Sequence, residues 1–191
     1  MNPTVIEILT EEVSMEIFLR GLLPKILPNN YALDENCFIR PHEGKSDLRK
    51  SIPRKMKVYP HFGYPIKVVI LHDQDSNDCK KLKAELVELT KNNSELPVLI
   101  RIACRELENW YLGDLEAIEK AFPESKASKQ KNRSKFRNPD NLQGFDELRK
   151  IVNGCSQTGA AREIPPFMNI ENNKSESFNQ FLKGFEKLLS M

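Results

Sequence analysis

The sequence has few of the features that mark a secreted, disulfide-linked or membrane-embedded protein. Its cysteines lie far apart and form no CxxC pair, so zinc and disulfide frameworks are not expected. The four cysteines are Cys37, Cys79, Cys104 and Cys155. Lys, Arg or Pro interrupts every hydrophobic stretch before it reaches the roughly 20 residues of a membrane span, and no secretory apolar segment precedes the first cysteine. We therefore expect a reduced, cytoplasmic protein with no membrane partner.

The chain also has little net charge. Its 29 Lys and Arg residues against 27 Asp and Glu residues give a formal charge of +2. Attraction to a polyanion must therefore come from local clusters of cations. The length suits one α/β domain with a full hydrophobic core. We predict a single domain, with its core at about 1–122, a basic loop at 123–141 and a helical C-terminal part at 142–191.

Hydrophobic runs alternate with helical patterns in the predicted core. Apolar runs predict strands at 4–10, 37–40, 67–72 and 97–104. Capping and breaking residues predict helices at 14–27, which Pro28 ends, at 46–52, which Pro53 ends, at 79–91 and at 106–122. Strands that alternate with helices favour an α/β fold with a mostly parallel sheet covered by helices.

The rest of the chain is predicted to be a basic loop followed by helices. Residues 126–137 are polar and basic without apolar periodicity, which indicates an exposed loop. Helices are predicted at 142–152 and 175–189. The second has an apolar stripe of Phe178, Phe181, Leu182, Phe185, Leu188 and Leu189. These helices form a C-terminal extension of the predicted fold.

Acidic residues directly follow two of the predicted strands. Glu11 and Glu12 follow the first strand, and Asp73, Asp75 and Asp78 follow the third. Ligands of open α/β sheets bind at the carboxyl ends of strands, so acids at these positions are candidates for chemistry. Converging carboxylates repel one another unless a cation lies between them. The two clusters together therefore favour a divalent metal site.

The DxD spacing of Asp73 and Asp75 suits one hard cation. In an extended segment both side chains point to the same side, where their oxygens can bind one metal ion. Asp78 can add a ligand or complement the dipole of the following helix, and both alternatives stay open. The alternative for the whole segment is a solvated turn, because Asp, Ser and Asn are common turn residues.

A third pair of acids follows the fourth predicted strand. Glu106 and Glu108 lie beside Trp110 and Tyr111, and one of the two acids can be a further metal ligand. The alternative makes them acids of the first helical turn and the aromatic residues part of the core. For Glu106 we favour that alternative.

Other candidate motifs are weaker. The three histidines show no metal-ligand spacing, and Gly44-Lys45-Ser46 lacks the glycine spacing of a P-loop, so neither set is assigned chemistry. The basic loop can contact phosphates, although charge runs are usually solvated. It also lacks the interleaved aromatic residues of a base-stacking surface.

Several ordered segments resemble a known family. They are Glu11-Glu-Val-Ser-Met-Glu16, His72-Asp-Gln-Asp-Ser-Asn-Asp-Cys79 and the segment 101–114, with further similarity at 136–140 and 172–178. Together they resemble the DUF4276 family, a Toprim-like bacterial domain of unknown function. The resemblance covers nearly the whole chain and depends on several motifs in order.

The resemblance implies the Toprim fold, in which a strand-end Glu and a DxD motif bind magnesium. Glu11 and the pair of Asp73 and Asp75 match those catalytic positions. The resemblance implies acid-base work for Glu11, while the aspartates hold Mg²⁺, or Mn²⁺ in its place. With the strand-end acids above, the predicted metal ligands are Glu11, Asp73, Asp75, Asp78 and Glu108.

The sequence departs from the Toprim pattern at several positions. Glu12 stands where Gly commonly follows the catalytic Glu, and Met15 stands where two-metal nucleases often have another acid. Glu12 or Glu16 can substitute, so one metal ion and two stay open. The segment 154–158 lacks the Tyr-x-Lys that relatives tend to have, and Arg162 can supply the missing basic contact.

The resemblance and the acidic clusters together predict a magnesium-dependent nuclease. The predicted nucleic-acid contacts are Lys129, Lys131, Arg133, Lys135 and Arg162. Some members of the family look like nuclease partners of ATP-binding-cassette-type ATPases in mobile-element or phage-defence gene sets, so the resemblance implies such a partner. The alternatives are a Toprim-fold regulatory subunit without turnover and a phosphatase or nucleotide-modifying enzyme. Monomer and homodimer both stay open.

Overall fold

A four-stranded parallel sheet lies at the centre of the structure, a computed structural model that describes residues 3–91 and 95–191. Its strands are β1 (Val5–Thr10), β2 (Cys37–Pro41), β3 (Ile66–Asp73) and β4 (Val98–Ala103). Their order across the sheet is β2-β1-β3-β4, and each neighbouring pair is parallel. The predicted α/β fold with a mostly parallel sheet and a C-terminal helix is confirmed.

Helices and short 3-10 turns connect and cover the strands. The helices are α1 (Val13–Leu22), α2 (Lys45–Val58), α3 (Cys79–Thr90), α4 (Glu108–Leu112), α5 (Leu115–Ala121), α6 (Gly144–Ile151), α7 (Gln157–Glu163) and α8 (Glu176–Ser190). The 3-10 turns are Leu23–Lys25, Tyr59–His61, Pro123–Ser125, Ala127–Gln130, Ser134–Arg137, Pro139–Asn141 and Pro165–Phe167. No helix in the described ranges combines the length and the apolar character that crossing a membrane requires.

The sheet separates two hydrophobic cores. Alternate side chains of β1 and β3 enter the first core, which α1, α4 and α8 cover; these are Ile6, Ile8, Val69 and Leu71. The intervening side chains enter the second core, which α2 and α3 cover; these are Val5, Leu9, Val68 and Ile70. Burial on both faces explains why most residues of β1 and β3 are apolar.

The first helix is shorter than predicted. It begins at Val13 and ends at Leu22, whereas the sequence predicted 14–27. Ser14 does not cap it, because its hydroxyl donates to Oε1 of Glu12 at 2.6 Å. Pro24, which has no N–H to continue the helical ladder, lies in the following 3-10 turn.

The predicted end of α2 at Pro53 is wrong. The helix continues through this proline to Val58. Leu48, Ile52 and Met56 recur every fourth residue and are buried in the second core. Packing on both sides of Pro53 therefore offsets the hydrogen bond that the proline cannot make.

The predicted helix at 106–122 is two helices, α4 and α5. Asp114 separates them as the N-cap of α5, where its Oδ1 accepts a hydrogen bond from the N–H of Ala117 at 3.0 Å. Its Oδ2 accepts a second from the N–H of Asn169 at 2.6 Å. An N-cap in this place explains the break, because a capping residue stands outside the regular helix.

The C-terminal part contains one helix that the sequence analysis missed. Helices α6 and α8 confirm the two that were predicted, and Ser175 caps α8 through the N–H of Phe178. The missed helix is α7. Its N-cap, Ser156, accepts a hydrogen bond from the N–H of Gly159 at 3.0 Å, and this capping serine was its local signal.

The prediction of a plain exposed loop at 126–137 is wrong. Ala127 and Phe136 are fully buried in the first core, and the chain between Pro123 and Asn141 makes successive 3-10 turns. Single buried residues without a helical or strand period escape a periodicity argument. The cations of this segment remain on the surface.

Candidate metal centre

The carboxyl ends of β1 and β3 lie side by side. Thr10, the last residue of β1, is in register with Leu71 of β3, so Glu11 and Asp73 come together just beyond that pair. The backbone N–H of Asp73 donates a hydrogen bond to Oε2 of Glu11 at 3.3 Å. We call this edge of the sheet the carboxyl edge.

Asp73 is the acid of the carboxyl edge that has a buried oxygen atom without a partner among the described residues. The residue as a whole is partly exposed, but its Oδ1 atom is buried and has no hydrogen-bond partner among the described residues. Burial raises the pKa of Asp73 well above its usual range, and the charge of Glu108 adds to that effect. Glu11, Asp75 and Glu12 raise the pKa further. This site therefore has an unsatisfied buried oxygen, and burying an acceptor without a donor costs free energy.

Glu108, the first residue of α4, brings a carboxylate from beyond β4. It is only 2 % exposed, and burial is the main cause that raises its pKa to about 7. The carboxylates of Glu106 and Glu12 act in the same direction. A hydrogen bond from its own backbone N–H and one from the side chain of Gln157 act in the opposite direction.

His72 is a residue of the site that the sequence analysis missed. Its Nδ1 lies 2.9 Å from Oε2 of Glu11 and 2.5 Å from the carbonyl oxygen of Asp73. Burial lowers the pKa of His72, but Glu11, the Asp73 carbonyl and Asp75 outweigh it, and the net shift is upward. Its Nε2 is buried without a partner among the described residues. The signal in the sequence was its place directly before Asp73 at a strand end.

Asp75 does not continue the strand, so the predicted extended DxD segment is wrong. Strand β3 ends at Asp73, and Asp75 has a φ of 51°, in the left-handed region that Asp tolerates better than most residues. Its N–H donates to the carbonyl of Arg105 at 2.7 Å, and its Oδ2 lies 3.2 Å from Nζ of Lys45. Asp75 is nevertheless near enough to raise the pKa of Asp73.

Two of the predicted candidate acids cap helices. The exposed Asp78 is the N-cap of α3 and accepts a hydrogen bond from the N–H of Lys81 at 2.8 Å, which is the helix-cap alternative. Glu106 accepts from the N–H of Phe145 at 2.8 Å, in the first turn of α6. We expected Glu106 in the first turn of its own helix, and that expectation is wrong because α4 begins only at Glu108.

The two additional acids differ in their position. Glu12 precedes α1 and raises the pKa of both Asp73 and Glu108, so it belongs to the acidic cluster. Glu16 instead forms an ion pair with Arg20 at 3.0 Å. Of the two, Glu12 is the one that the structure brings to the cluster.

Tyr111 is a second residue that the sequence analysis assigned only to the core. It is fully buried, and its hydroxyl has no hydrogen-bond partner among the described residues. Burial raises its pKa well above its usual value, and the charges of Glu108 and Asp73 add to the shift. The first core therefore presents an unsatisfied hydroxyl to the acidic cluster.

The predicted nucleic-acid contacts are all exposed side chains. These are Lys129, Lys131, Arg133, Lys135 and Arg162. Lys131 forms an ion pair with Glu116 at 3.3 Å, and Lys135 forms one with Glu147 at 2.5 Å. Lys45, which no motif assigned, is the cation that contacts Asp75.

The atoms that the carboxyl edge offers as metal ligands suit a hard divalent cation. They are carboxylate oxygens. Burial is the main cause of the raised pKa of Asp73, and the charge of Glu108 adds a repulsion that a cation would relieve. Within residues 3–91 and 95–191, however, no three Asp, Glu, His or Cys side chains already surround one metal position. A cation at Asp73 would therefore need a further carboxylate to move toward it, such as that of Asp75 from its contact with Lys45.

Comparison with known proteins gave a result at the level of the family. Neither the curated proteins nor the solved structures gave a match. The family described as "Domain of unknown function (DUF4276)" matches residues 10–186, a range that includes Glu11, Asp73 and Glu108. Since this match covers most of the sequence, the chain belongs to the DUF4276 family.

Proposed function

We propose that this protein is a Toprim-type nuclease that uses Mg²⁺ or Mn²⁺ to hydrolyse phosphodiester bonds of nucleic acid. The observation that carries the proposal is the buried, unpartnered Oδ1 of Asp73 among several carboxylates at the ends of parallel strands. Carboxylates gathered in this way are stabilised by a cation, and oxygen ligands select hard ions such as Mg²⁺.

The residues of the carboxyl edge have different roles in this proposal. Asp73, Glu108 and Asp75 would hold the cation, which stabilises negative charge on the phosphodiester. Glu11 would accept a proton from the attacking water. The contact of its Oε2 with Nδ1 of His72 at 2.9 Å keeps this carboxylate at the edge of the sheet.

Surface cations supply the local attraction that a net charge of +2 cannot. Lys45 is the cation at the carboxyl edge, where it contacts Asp75 at 3.2 Å. A phosphate group would compete with Asp75 for this ammonium group, so substrate binding would release Asp75 for the metal. The other exposed cations, including Arg162, would contact the polymer farther along.

The family resemblance extends the proposal to a partner. A nuclease of this type would act in the cytoplasm with an ATP-binding-cassette-type ATPase, in a phage-defence or mobile-element system. ATP hydrolysis would then be the work of the partner, and phosphodiester cleavage the work of this chain.

A second candidate function is a Toprim-fold regulatory subunit without turnover. The observation that favours it is that Glu11 and Asp75 already contact His72 and Lys45. The described residues also contain no set of three side chains arranged around a metal position. A subunit of this kind would bind nucleic acid through its surface cations and leave the bonds intact.

The test is cleavage of plasmid, single-stranded DNA and RNA with Mg²⁺ or Mn²⁺. The variants are Glu11→Ala and Asp73→Asn, with Asp78→Asn as the matched control, because Asn caps a helix as well as Asp does. The proposal predicts metal-dependent cleavage by the wild type and Asp78→Asn that both site variants lose. Unchanged cleavage by Asp73→Asn would contradict the proposed site.

Two other outcomes select the alternatives. Binding without cleavage, also in the presence of a co-encoded ATPase, would support the regulatory subunit and overturn the nuclease. Hydrolysis of free nucleotides but not of polymers would instead select a small-molecule phosphoesterase.

A further inference from the structure

Two half-buried cysteines meet beside the carboxyl edge. Cys79 is the first residue of α3, and Cys104 directly follows β4. Both are free thiols, and the thiol of Cys104 interacts with that of Cys79. Both also line a cavity of about 380 Å³ whose wall includes Gln74 and Asp75. Nothing in the proposed cleavage chemistry uses this pair.

The pairing of β3 with β4 places Cys104 beside the loop that leads from β3 to Cys79. The β3–β4 ladder continues beyond the strands, since the N–H of Gln74 donates to the carbonyl of Ala103 at 2.9 Å. Cys104 directly follows β4, whose Ile102 lies in the second core, and its thiol also interacts with the hydroxyl of Ser177. Cys79 packs against that same core.

We propose that Cys79 and Cys104 form a reversible intramolecular disulfide when hydrogen peroxide oxidises the protein. The thiolate of one cysteine attacks a peroxide oxygen, the O–O bond breaks, and a sulfenic acid and one water form. The second cysteine attacks that sulfur, the S–S bond forms, the S–O bond breaks and a second water leaves. Two thiols lose two electrons and two protons, and the peroxide is reduced to two waters.

The surroundings of Cys104 make it a poor first nucleophile. Burial raises the pKa of its thiol to about 11, and the charges of Asp140 and Cys79 contribute. Cys104 therefore forms the reactive thiolate less readily than an ordinary cysteine. Cys79, in contrast, lies at the positive end of the α3 dipole. We therefore assign the reaction with the peroxide to Cys79 and the attack on its sulfenic acid to Cys104.

The disulfide would restrain the loop that carries Asp75. Residues 74–78 connect β3 to α3, and the disulfide would tie the end of this loop, at the start of α3, to the end of β4. The N–H of Asp75 is already bound to the carbonyl of Arg105, next to Cys104. If the proposed nuclease function holds, oxidation is expected to lower its activity, because Asp75 would lose the freedom to move toward Asp73.

The test is peptide mapping of the full-length protein under non-reducing conditions after treatment with hydrogen peroxide. We expect a peptide that links Cys79 to Cys104, the loss of two of the four thiols, and recovery of both with dithiothreitol. Cys79→Ser and Cys104→Ser should each abolish the link. Cys155→Ser is the control that should keep it, because Cys155 lies after α6, away from this cavity.

Two outcomes would overturn the proposal. One is a wild-type protein that loses thiols without a peptide linking Cys79 to Cys104. The other is the same thiol loss in Cys79→Ser as in the wild type. The mapping needs neither metal nor nucleic acid, so its failure would leave the proposed nuclease function standing, and a failure of cleavage would leave the disulfide standing.

Discussion

Nδ1 of His72 lies 2.9 Å from Oε2 of Glu11, and this contact joins the ends of β1 and β3 at the carboxyl edge. The same edge contains Asp73 and Glu108, whose pKa values are raised chiefly by burial. Raised pKa values mean that these groups hold protons at a higher pH than they would in an unfolded chain. In the metal-free protein, bound protons therefore neutralise part of the carboxylate charge that we propose a metal cation neutralises.

The metal-free protein should lose stability as the pH rises toward neutrality. Folding raises the pKa of Glu108 from its usual 4.5 to about 7, so the folded state binds more protons than the unfolded state in that window. The stability is present below pH 4.5 and is lost as the pH rises through about 7. A shift of this size corresponds to roughly 3 kcal/mol. Urea unfolding across this range measures it.

Glu108→Gln tests that assignment. The variant should show a flatter dependence of the free energy of unfolding on pH than the wild type. Glu85→Gln, at an exposed acid of α3, is the control and should follow the wild type. Parallel curves for the wild type and Glu108→Gln would show that Glu108 is not the group that titrates.

Binding of Mg²⁺ should release protons. Metal ligands must be deprotonated, and Asp73 and Glu108 have raised pKa values in the metal-free protein. Calorimetric titration in buffers of different ionisation enthalpy measures the number released. We expect a larger release near pH 6 than near pH 8, because the pKa of Glu108 is about 7. Heats that do not depend on the buffer at either pH would contradict this account.

The ion pair between Glu7 and Arg40 should contribute strongly to stability. Glu7 lies within β1 and is only 5 % exposed; it accepts two hydrogen bonds of 3.0 Å from Arg40 and one of 3.1 Å from the hydroxyl of Tyr59. Arg40→Ala leaves this carboxylate without its cation. We expect a loss of about 2 kcal/mol, below the value for a fully buried pair because the arginine is partly exposed.

The matched control for that loss is Arg49→Ala. Arg49 pairs with Glu85 at 2.7 Å, but the side chain of Glu85 is 54 % exposed, whereas that of Glu7 is 6 % exposed. Arg49→Ala should change the free energy of unfolding, measured with urea, by no more than about 0.5 kcal/mol. Equal losses for the two variants would mean that burial of Glu7 does not matter.

Gly113 should not tolerate a side chain. A Cβ atom there would lie 1.9 Å from Oδ1 of Asn173 and 2.8 Å from the backbone nitrogen of Ser175, just before α8. Gly113→Ala should lower the free energy of unfolding by about 1–3 kcal/mol, because backbone and side chain must both move. Gly63→Ala is the control, because a Cβ atom there would have no atom of the described residues within 4 Å beyond its chain neighbours. A similar thermal melting temperature for both variants would refute the predicted clash.

The sheet could be predicted from the sequence because its strands are buried on both faces. Apolar runs such as 67–72 admit few other structures, and Ile66–Asp73 is the strand observed. The course of α2 could not be predicted in the same way. Pro53 predicts the end of the helix. Tertiary contacts of Ile52 and Met56 with the second core stabilise the helix beyond this proline.

The candidate site was predictable where it depends on strand ends, and not where it depends on loops. Glu11 and Asp73 follow parallel neighbouring strands, so the sheet alone brings them together. The left-handed conformation of Asp75 depends on its hydrogen bond to Arg105, which the sequence does not reveal. Likewise, Glu106 binds a helix start 39 residues away.

The most direct test of the metal centre is titration of the metal-free protein with Mn²⁺, followed by electron paramagnetic resonance of the free ion. The account predicts that the wild type and Asp78→Asn bind Mn²⁺ and that Asp73→Asn does not, since Asp73 has the buried, unpartnered oxygen. Equal binding by Asp73→Asn and the wild type would contradict the account.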